Sequence, residues 1–367
     1  MPRNPLHKLT GVKYTAVDFG HHSLKAVHCK VRGDNVKVLK SGVETVPQGV
    51  IHNGQIDDLP TVSNKLEDLF QDAGIKPGII IFSPAAGQEF VRRVQVPAMP
   101  YEELEEALHW EVQEYLNLPP ERVASDFLIL EEDNENFEIL LALMPLHILD
   151  DYKEVFERIG YRARVANMQE LGMVSLLNYQ EKLDESSAII NIGANKTRIL
   201  IANKDEFYLS RSVDIAGSSY TRIFKDEENS WEEADEAKKR SEFTPGIAEE
   251  EEGETDFEMV VSGFADENNH QTRMKDLTDE LLVEINRSME YYRERNPNQD
   301  LKKLYLTGGG SRLYGLKDYI GEQLGLEVEN IDPYDSFKVK NHTSPGEEGR
   351  MAVASGLVAS EVIHNEN

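Results

Sequence analysis

Short apolar runs open the chain. Tyr14 to Asp18 and Leu24 to Val31 have the spacing of two strands, and the glycine-containing turn between them predicts a hairpin. Residues 61–73 place apolar side chains at helical spacing, and Ile79 to Phe82 is another compact apolar run. This order of strand, helix and strand is typical of an α/β domain.

The next stretch, from Gly87 to about Arg164, predicts a unit with its own pattern. Its predicted elements are a strand at 90–96, a helix that ends at Pro119-Pro120, strands at 127–130 and 139–144, and a helix over about 149–159. A buried helix over 166–179 follows this unit.

The opening pattern then returns. Ala188 to Gly193 repeats the layout of Thr15 to Gly20 about 170 residues later, and a strand from Thr197 to Ala202 follows it. We interpret this as a weak internal duplication and expect two similar halves that face one another. A strand over 301–307, a helix starting near Ser311 and a small-residue helix over 351–358, which should pack on the first half, complete the pattern.

Composition and charge limit the classes of partner and the compartment that the chain is expected to have. The chain has 39 Lys and Arg against 67 Asp and Glu, a net charge of −28, which repels phosphate backbones, so nucleic acid is not an expected partner. The single cysteine, Cys29, cannot form an internal disulfide and fits a reducing cytosol. No window approaches 18 consecutive apolar residues, so we expect a soluble chain that meets a membrane only through a partner. The acidic stretch at 226–276 predicts a long loop or insertion.

Three glycine-bearing strand ends are candidates for phosphate binding: D-F-G-H-H-S-L-K at 18–25, N-I-G-A-N-K-T at 191–197 and T-G-G-G-S at 307–311. Without a Cβ, such turns let a phosphate approach backbone N–H groups. Asp18 suits Mg²⁺ held through water, Lys25 suits phosphate oxygens, and a helix near Ser311 would add its positive dipole end. Each turn alone is more often structural, but three in this order favour a nucleotide site.

These motifs resemble the phosphate 1, phosphate 2 and adenosine motifs of the actin/Hsp70/FtsA ATPase superfamily, and within it the chain is most similar to the PilM family of type IV pilus assembly proteins. Further matching pieces lie at 47–56, 96–115, 234–238 and 284–292. The resemblance implies an α/β, actin-like (ribonuclease H-like) fold with two lobes around a nucleotide cleft and an extra subdomain of the FtsA/PilM type. The expected domains are a first lobe from 1–86 and 165–185, the inserted subdomain 87–164, a second lobe 186–335 with the acidic insertion 226–276, and a return to the first lobe over 336–367.

The resemblance also implies ATP and Mg²⁺ as cofactors. The implied nucleotide-binding residues are Asp18, Gly20, His21, Ser23 and Lys25 in the first motif, Asn191, Gly193 and Thr197 in the second, Gly308, Gly309 and Gly310 at the adenosine, and Asp235, Lys238 and Arg287 at the ribose or base. Asp18 would hold Mg²⁺ through water. Gln169 would position the attacking water, although a polar residue at a helix edge is an equal alternative.

Two positions depart from the superfamily pattern. His21 stands where a phosphate-contacting Ser is common, which leaves Ser23 either to substitute or to face solvent. Asn191 stands where the family has Asp, and an amide supplies no negative charge to the water around Mg²⁺. We therefore expect at most weak ATPase activity, and a pseudo-ATPase that keeps the fold only for peptide binding stays an alternative.

The function implied is a cytoplasmic adaptor, peripheral to the inner membrane, whose lobes close on ATP and which docks the N-terminal peptide of the membrane protein PilN in a groove of the first lobe. Self-association and contact with other pilus platform proteins and motor ATPases are further expectations. An FtsA-like cell-division protein is the alternative, but the tail from Glu361 to Asn367 lacks the cationic amphipathic helix of such proteins. A small-molecule kinase would need an Asp base that we do not find. Asp18→Ala should abolish Mg-ATP binding and leave the fold intact.

Overall fold

The structure is a computed structural model of the chain. It describes residues 11–226, 229–243, 261–339 and 348–363, without the side chains of 109–114, 261–268 and 348. The chain divides into two compact units. The first comprises Met1–Glu185, Ala202–Ser210 and Asp332–Asn367, and the second comprises Ser186–Ile201 and Arg211–Ile331. The finer domain scheme expected from the sequence stays a prediction.

A six-stranded sheet forms the centre of the first unit. In spatial order its strands are β10 (Ala163–Ala166), β6 (Ile79–Ser83), β1 (Val12–Phe19), β2 (Ser23–Arg32), β3 (Asn35–Thr45) and β16 (Lys338–Val339). β1, β2 and β3 pair antiparallel, whereas β6 runs parallel to β1 and β10, and β16 runs parallel to β3. The hairpin expected from the sequence and the expected strand at 79–82 are confirmed as β1 with β2 and as β6.

Helices cover both faces of this sheet. On one face lie α1 (Leu59–Asp72), which the Asp58 carboxylate caps by accepting from the Thr61 amide, and α3 (Leu146–Arg158). Phe19 of β1 makes edge contacts with Tyr152 and Phe156 of α3. Helices thus bury the apolar side chains of the strands, as the α/β pattern requires.

The opposite face carries α4 (Gln169–Tyr179) and α9 (Ala352–Ile363). These two helices cross at paired glycines. A Cβ on Gly356 would lie 1.9 Å from the Gly172 carbonyl oxygen, whereas a Cβ on Gly172 would meet its nearest neighbours at 3.4 Å. Gly356 therefore permits a backbone approach that no larger residue allows, and the expectation that the last helix packs on the first half is confirmed.

The inserted unit of the sequence forms a second small sheet in the order β7 (Phe90–Pro97), β9 (Asn136–Pro145) and β8 (Val123–Glu132), with antiparallel pairing. Helix α2 (Tyr101–Leu116) buries Leu104 and Leu108 against it. Arg93 of β7 forms an ion pair with Glu138 and approaches Glu206 at 3.6 Å. A two-stranded hairpin, β4 (Ile51–His52) with β5 (Gln55–Ile56), precedes α1.

The second unit is built on a five-stranded sheet in the order β13 (Phe207–Val213), β12 (Thr197–Ala202), β11 (Ser187–Ile192), β14 (Lys303–Thr307) and β15 (Glu327–Asn330). β11, β14 and β15 run parallel. The helices that follow these strands are α5 (Gly217–Ile223), α6 (Trp231–Arg240), α7 (Val261–Arg295) and α8 (Leu316–Leu324). Short 3₁₀ turns lie at Pro120–Arg122, Gly310–Arg312 and Glu348–Arg350. Of the described helices, none combines the length and hydropathy that a membrane span needs.

The expectation of a loop in the acidic stretch is wrong for 231–240 and for 261–276, which are helical. Helix α6 begins with a capping box in which Ser230 and Glu233 exchange side-chain and backbone hydrogen bonds. Its acidic first turn and basic last turn both favour the helix dipole, so local helix signals outweigh the polar composition. Residues 227–228 and 244–260 lie outside the described residues.

Candidate functional site

The first glycine turn joins β1 to β2. The Gly20 amide donates to the Ser23 carbonyl oxygen at 3.1 Å, which closes a tight four-residue turn. A Cβ on Gly20 would lie 2.6 Å from Lys25 Nζ and 3.0 Å from the Ser23 oxygen. Glycine therefore allows the Lys25 ammonium to fold over the turn. Ser23 is buried, so the alternative that it faces solvent is wrong, while His21 is half-buried.

Asp18, at the end of β1, is 3 % exposed and lies at the centre of a polar cluster. The hairpin register places it opposite Lys25, whose Nζ is 3.0 Å from Asp18 Oδ2. Ser83 Oγ and Gln169 Nε2 donate to Asp18 Oδ1 at 3.3 and 3.1 Å. A cation and two neutral donors thus compensate one buried carboxylate and hold it in a single orientation.

Gln169 is the first residue of α4 and is buried. Its Nε2 also lies 3.1 Å from the Pro84 carbonyl oxygen and 3.4 Å from that of Phe19. An amide nitrogen carries two hydrogens, so the three acceptors share them. In this arrangement Gln169 positions Asp18 and the strand ends around it, and its role with water stays a prediction.

Ser83 is a functional candidate that the sequence reasoning missed. It ends β6, and the parallel pairing with β1 sets it directly beside Asp18. The sequence contained part of the signal for this residue, because Ser83-Pro84 follows a buried apolar run. The carboxyl ends of neighbouring parallel strands meet at one edge of a sheet, where such a residue would lie near Asp18.

The second glycine turn reproduces the first in backbone detail. The Gly193 amide donates to the Lys196 carbonyl oxygen at 3.0 Å, as Gly20 does to Ser23. The start of α5 is tied to this turn, since the amides of Gly217 and Ser218 donate to the carbonyl oxygens of Gly193 and Ala194 at 2.9 and 2.7 Å. The repeated turn supports the internal duplication inferred from the sequence.

Thr197 follows this turn and is fully buried. Its hydroxyl donates to the Ile215 carbonyl oxygen at 2.6 Å. The hydroxyl thus fastens β12 to the segment that leads into α5, and a direct phosphate contact stays a prediction.

The third glycine motif lies beside the second, because β11 and β14 are parallel and Asn191 pairs with Thr307. Gly308 has φ +91°, and a Cβ there would lie 2.4 Å from both Asn191 Oδ1 and the Ile192 carbonyl oxygen. A Cβ on Gly310 would lie 2.3 Å from the Ile192 side chain. Gly309, by contrast, has the helical φ of −64° that any residue adopts. Two of the three glycines are therefore required by close packing of the motifs.

The helix expected after the third motif is present, but its expected start near Ser311 is wrong. A 3₁₀ turn, Gly310–Arg312, follows the glycines, and α8 begins at Leu316 after Gly315, whose φ is +82°. The Ser311 hydroxyl donates to the Gly308 carbonyl oxygen at 2.8 Å. An α-helix dipole therefore does not begin at this loop.

Asp235 and Lys238 support the second glycine turn indirectly, through Thr221 and Gly217. Thr221 donates to Asp235 Oδ1 at 3.1 Å, and Lys238 Nζ donates to the Thr221 hydroxyl at 2.8 Å and to the Gly217 carbonyl oxygen at 3.4 Å. Burial alone would raise the pKa of Asp235, but the hydrogen bonds and charges of Lys238 and Lys239 outweigh it and hold that pKa well below its usual range. Because the Gly217 amide is hydrogen-bonded to the Gly193 carbonyl oxygen, the charged pair stabilises the start of α5, which holds the second turn. Contact of Asp235 or Lys238 with a ribose or base stays a prediction.

Arg287 lies apart from these contacts on α7. Its side chain is 62 % exposed and forms an ion pair with Glu284 at 2.6 Å. Arg211 also pairs with Glu284. This placement leaves Arg287 accessible to a ligand.

The candidate residues thus form two groups, one in each unit. Asp18, Gly20, Lys25 and Gln169 lie together in the first, and the glycines of the second and third motifs lie together with Asn191 in the second. Within the described residues, no group of three or more His, Cys, Asp or Glu side chains could hold a metal ion. Asp18 is a single carboxylate, which suits Mg²⁺ held through water and by phosphate rather than by a protein cage.

Comparison with known proteins agrees with this architecture. The profile of a family described as "Type IV pilus assembly protein PilM" matches residues 16–251 and 261–359. A solved structure described as the PilM-PilN type IV pilus biogenesis complex superposes with a TM-score of 0.78 at 21 % identity, covering 96 % of this chain and 99 % of that one. The ethanolamine utilization protein EutJ from Carboxydothermus hydrogenoformans gives a TM-score of 0.53 at 11 % identity, covering 98 % and 90 %. The expected actin-like ATPase fold is confirmed.

Proposed function

The chain belongs to the PilM family of type IV pilus assembly proteins, and from that membership we propose that it is an ATP-binding adaptor of the pilus inner-membrane platform. It acts in the cytoplasm, peripheral to the membrane, and is held there by the N-terminal cytoplasmic peptide of PilN. Support for this partner is the likeness to a solved structure described as a PilM-PilN complex. Contact with other platform proteins or motor ATPases, and self-association, belong to the same proposal.

The observation that carries nucleotide binding is the pair of matched glycine turns. The turns at Gly20 and Gly193 have the same backbone hydrogen bond, and a Cβ on either glycine would meet the carbonyl oxygen of the residue that closes the turn, at 3.0 and 2.8 Å. Turns of this kind present backbone N–H groups that can bind phosphate oxygens, which supports the proposed nucleotide site.

The residues present fit Mg-ATP. Gly20 and Lys25 would hold phosphate oxygens, Asp18 would accept from water on Mg²⁺, and the turns at Gly193 and Gly308 offer further backbone amides to a nucleotide. Bound Mg²⁺ supplies positive charge that neutralises the phosphates. The Lys25 ammonium lies close to the Gly20 turn and 3.0 Å from Asp18 Oδ2, and this proximity supports assigning the two side chains to one phosphate and metal site.

Hydrolysis is at most slow in this proposal. Asn191 offers an amide oxygen where a carboxylate would orient water, and the Gln169 amide is engaged with Asp18 and two carbonyl oxygens. Nucleotide then acts as a ligand that sets lobe closure, and PilN binding responds to that closure. The same features favour a second candidate, a nucleotide-independent scaffold that only binds the peptide.

Calorimetric titration with Mg-ATP distinguishes the two candidates. Saturable binding that needs Mg²⁺, and that Lys25→Met weakens at least about tenfold, supports the adaptor, since the variant removes a charge from the phosphate chain. Lys153→Met is the control, because Lys153 is an exposed lysine outside both turns and pairs with the exposed Asp150 at 3.0 Å. No binding up to about 1 mM Mg-ATP, a limit of roughly 4 kcal/mol, would leave the scaffold.

The partner is tested separately with a synthetic peptide of the PilN cytoplasmic N-terminus, titrated with and without Mg-ATP. We expect saturable binding whose affinity changes with nucleotide. Equal affinity in both conditions would contradict coupling, and no binding in either condition would refute the partner.

A further inference from the structure

Four lysines lie in register across four neighbouring strands of the first unit. Lys13 of β1 pairs with Lys30 of β2, Lys30 pairs with Lys37 of β3, and Lys37 pairs with Lys338 of β16. Residues directly opposite one another project from the same face of a sheet, so these side chains form one row about 14 Å long. All four are exposed. We call this set the lysine row.

The row is unusual for a chain with a net charge of −28. Within the described residues, Lys13, Lys30 and Lys37 form no ion pair, and Lys338 donates to the Asn35 side-chain oxygen at 2.9 Å. Like charges directly opposite one another destabilise a sheet. Sheet folding alone therefore gives no reason to keep four cations together.

Lys13, one member of the row, acts electrostatically on the buried His28. His28 lies one pair further along the same face of β2 and shares a hydrogen bond with Thr15 at 2.9 Å. Burial first, and then the charge of Lys13, lower the pKa of His28. The exposed Arg32, on the same face of β2, adds another cation at the other side of the row.

The row lies away from the nucleotide candidates. Lys13 is five residues before Asp18 on β1, a distance of about 17 Å along the strand. Its face is the one that α1 and α3 cover further along the sheet. A ligand on the row would therefore contact neither the Gly20 turn nor Asp18.

We propose that the lysine row docks the protein directly onto an anionic phospholipid surface, beyond the contact that its membrane partner provides. The proposal rests on the proposed function in one respect, since pilus platform membership places the chain beside the inner membrane. Its other support is charge complementarity: the cytoplasmic leaflet carries a negative potential that attracts surface lysines, each changing partition about fivefold. Beyond about 8 Å the remaining acidic charge is screened at physiological salt, so the local row governs close contact.

The chemistry of the row favours lipid over a folded acidic protein. Lysine is a compact, hydrated charge on a flexible stem, which suits a diffuse layer of headgroups, whereas carboxylate recognition between proteins favours the bidentate fork of arginine. No exposed large hydrophobic side chain among the described residues belongs to the row's strand positions, so the surface is electrostatic rather than a protein-like apolar patch.

Vesicle co-sedimentation of the full chain tests the proposal. Vesicles of phosphatidylcholine with about 30 % phosphatidylglycerol are compared with phosphatidylcholine alone, without PilN. The test variant is Lys13→Gln/Lys30→Gln/Lys37→Gln, which relieves repulsion and should fold as well as the parent. The control is Lys153→Gln/Lys275→Gln/Lys302→Gln, which removes the same charge from other exposed positions.

We expect the parent and the control to bind the anionic vesicles, the row variant to partition at least about tenfold less, and about 0.5 M salt to release the parent. Equal binding by the row variant, or equal loss in the control, would refute the proposal. If the parent binds neither kind of vesicle, the proposal is refuted. A row variant that then sediments as a smaller species than the parent would show that the row is an interface between copies of the chain. Titration of the PilN peptide keeps the proposed function separate, because the row variant should bind it like the parent.

Discussion

Removal of the Asp18 carboxylate is the sharpest test of the first turn. Asp18→Ala deletes the acceptor that Lys25, Ser83 and Gln169 share. Asp18 is 3 % exposed, and the Lys25 side chain is 13 % exposed, so the lysine is left with little water to replace its partner. The structure thus revises our expectation that this variant leaves the fold intact.

The size of the loss follows from the kind of pair. Breaking a buried ion pair by removing one partner costs about 3–5 kcal/mol, and the small exposure of Lys25 favours the lower end. We therefore expect Asp18→Ala and Lys25→Met each to lower the free energy of unfolding by about 3 kcal/mol. The double variant should lose no more than either single variant, because replacing both partners leaves no unpaired charge.

Urea unfolding without nucleotide, followed by circular dichroism, measures these values. Asp214→Ala is the control, since Asp214 is 86 % exposed in its pair with Lys196, and its loss should cost less than about 1 kcal/mol. Additive single losses, or an Asp18→Ala variant within about 1 kcal/mol of the parent, would show that the pair is not a coupled buried unit. Asp18→Asn, which keeps the side-chain size and a hydrogen-bond acceptor, is then the better variant for Mg-ATP titrations.

Three further outcomes test the packing and electrostatics described above. Gly356→Ala should lose about 3 kcal/mol or more of unfolding free energy by urea, because its Cβ meets a backbone oxygen, whereas Gly172→Ala at the same crossing should gain about 0.5–1 kcal/mol from helix propensity. Gly308→Ala should lose at least about 2 kcal/mol, since it combines a positive φ with a clash, and a loss below about 0.5 kcal/mol would contradict the close packing of the two motifs. Because folding lowers the pKa of Asp235, its contribution to the free energy of unfolding is complete above its ordinary pKa of about 4 and is lost as pH falls below that value. Acid unfolding of Asp235→Asn should therefore depend less on pH than that of the parent between about pH 4 and 2.

Much of the fold was predictable from local pattern. The alternation at 14–18 and 24–31 predicted β1 and β2, and helical spacing at 61–73 predicted α1. The repeated layout at Gly20 and Gly193 predicted two matching turns, which the backbone hydrogen bonds bear out. These features depend on periodicity and on turn chemistry within a few residues, which a single sequence contains.

Local composition misled where capping decided the structure. The acidic stretch predicted a loop, yet Ser230 and Glu233 begin α6. Ser311 predicted the start of a helix, yet that helix begins at Leu316. In the first case the capping hydrogen bonds outweighed the polarity of the segment, and in the second the left-handed Gly315 precedes the helix.

Periodicity and glycine placement in the chain itself thus specify the strands, the two turns and the family to which they belong, because each depends on neighbours in sequence. The contacts that give the site its chemistry come from residues far apart. Ser83 reaches Asp18 through a parallel strand pair, and Lys37 meets Lys338 across 300 residues of chain. Strand order and register arise from burying whole faces against helices, and no local pattern encodes which strands become neighbours.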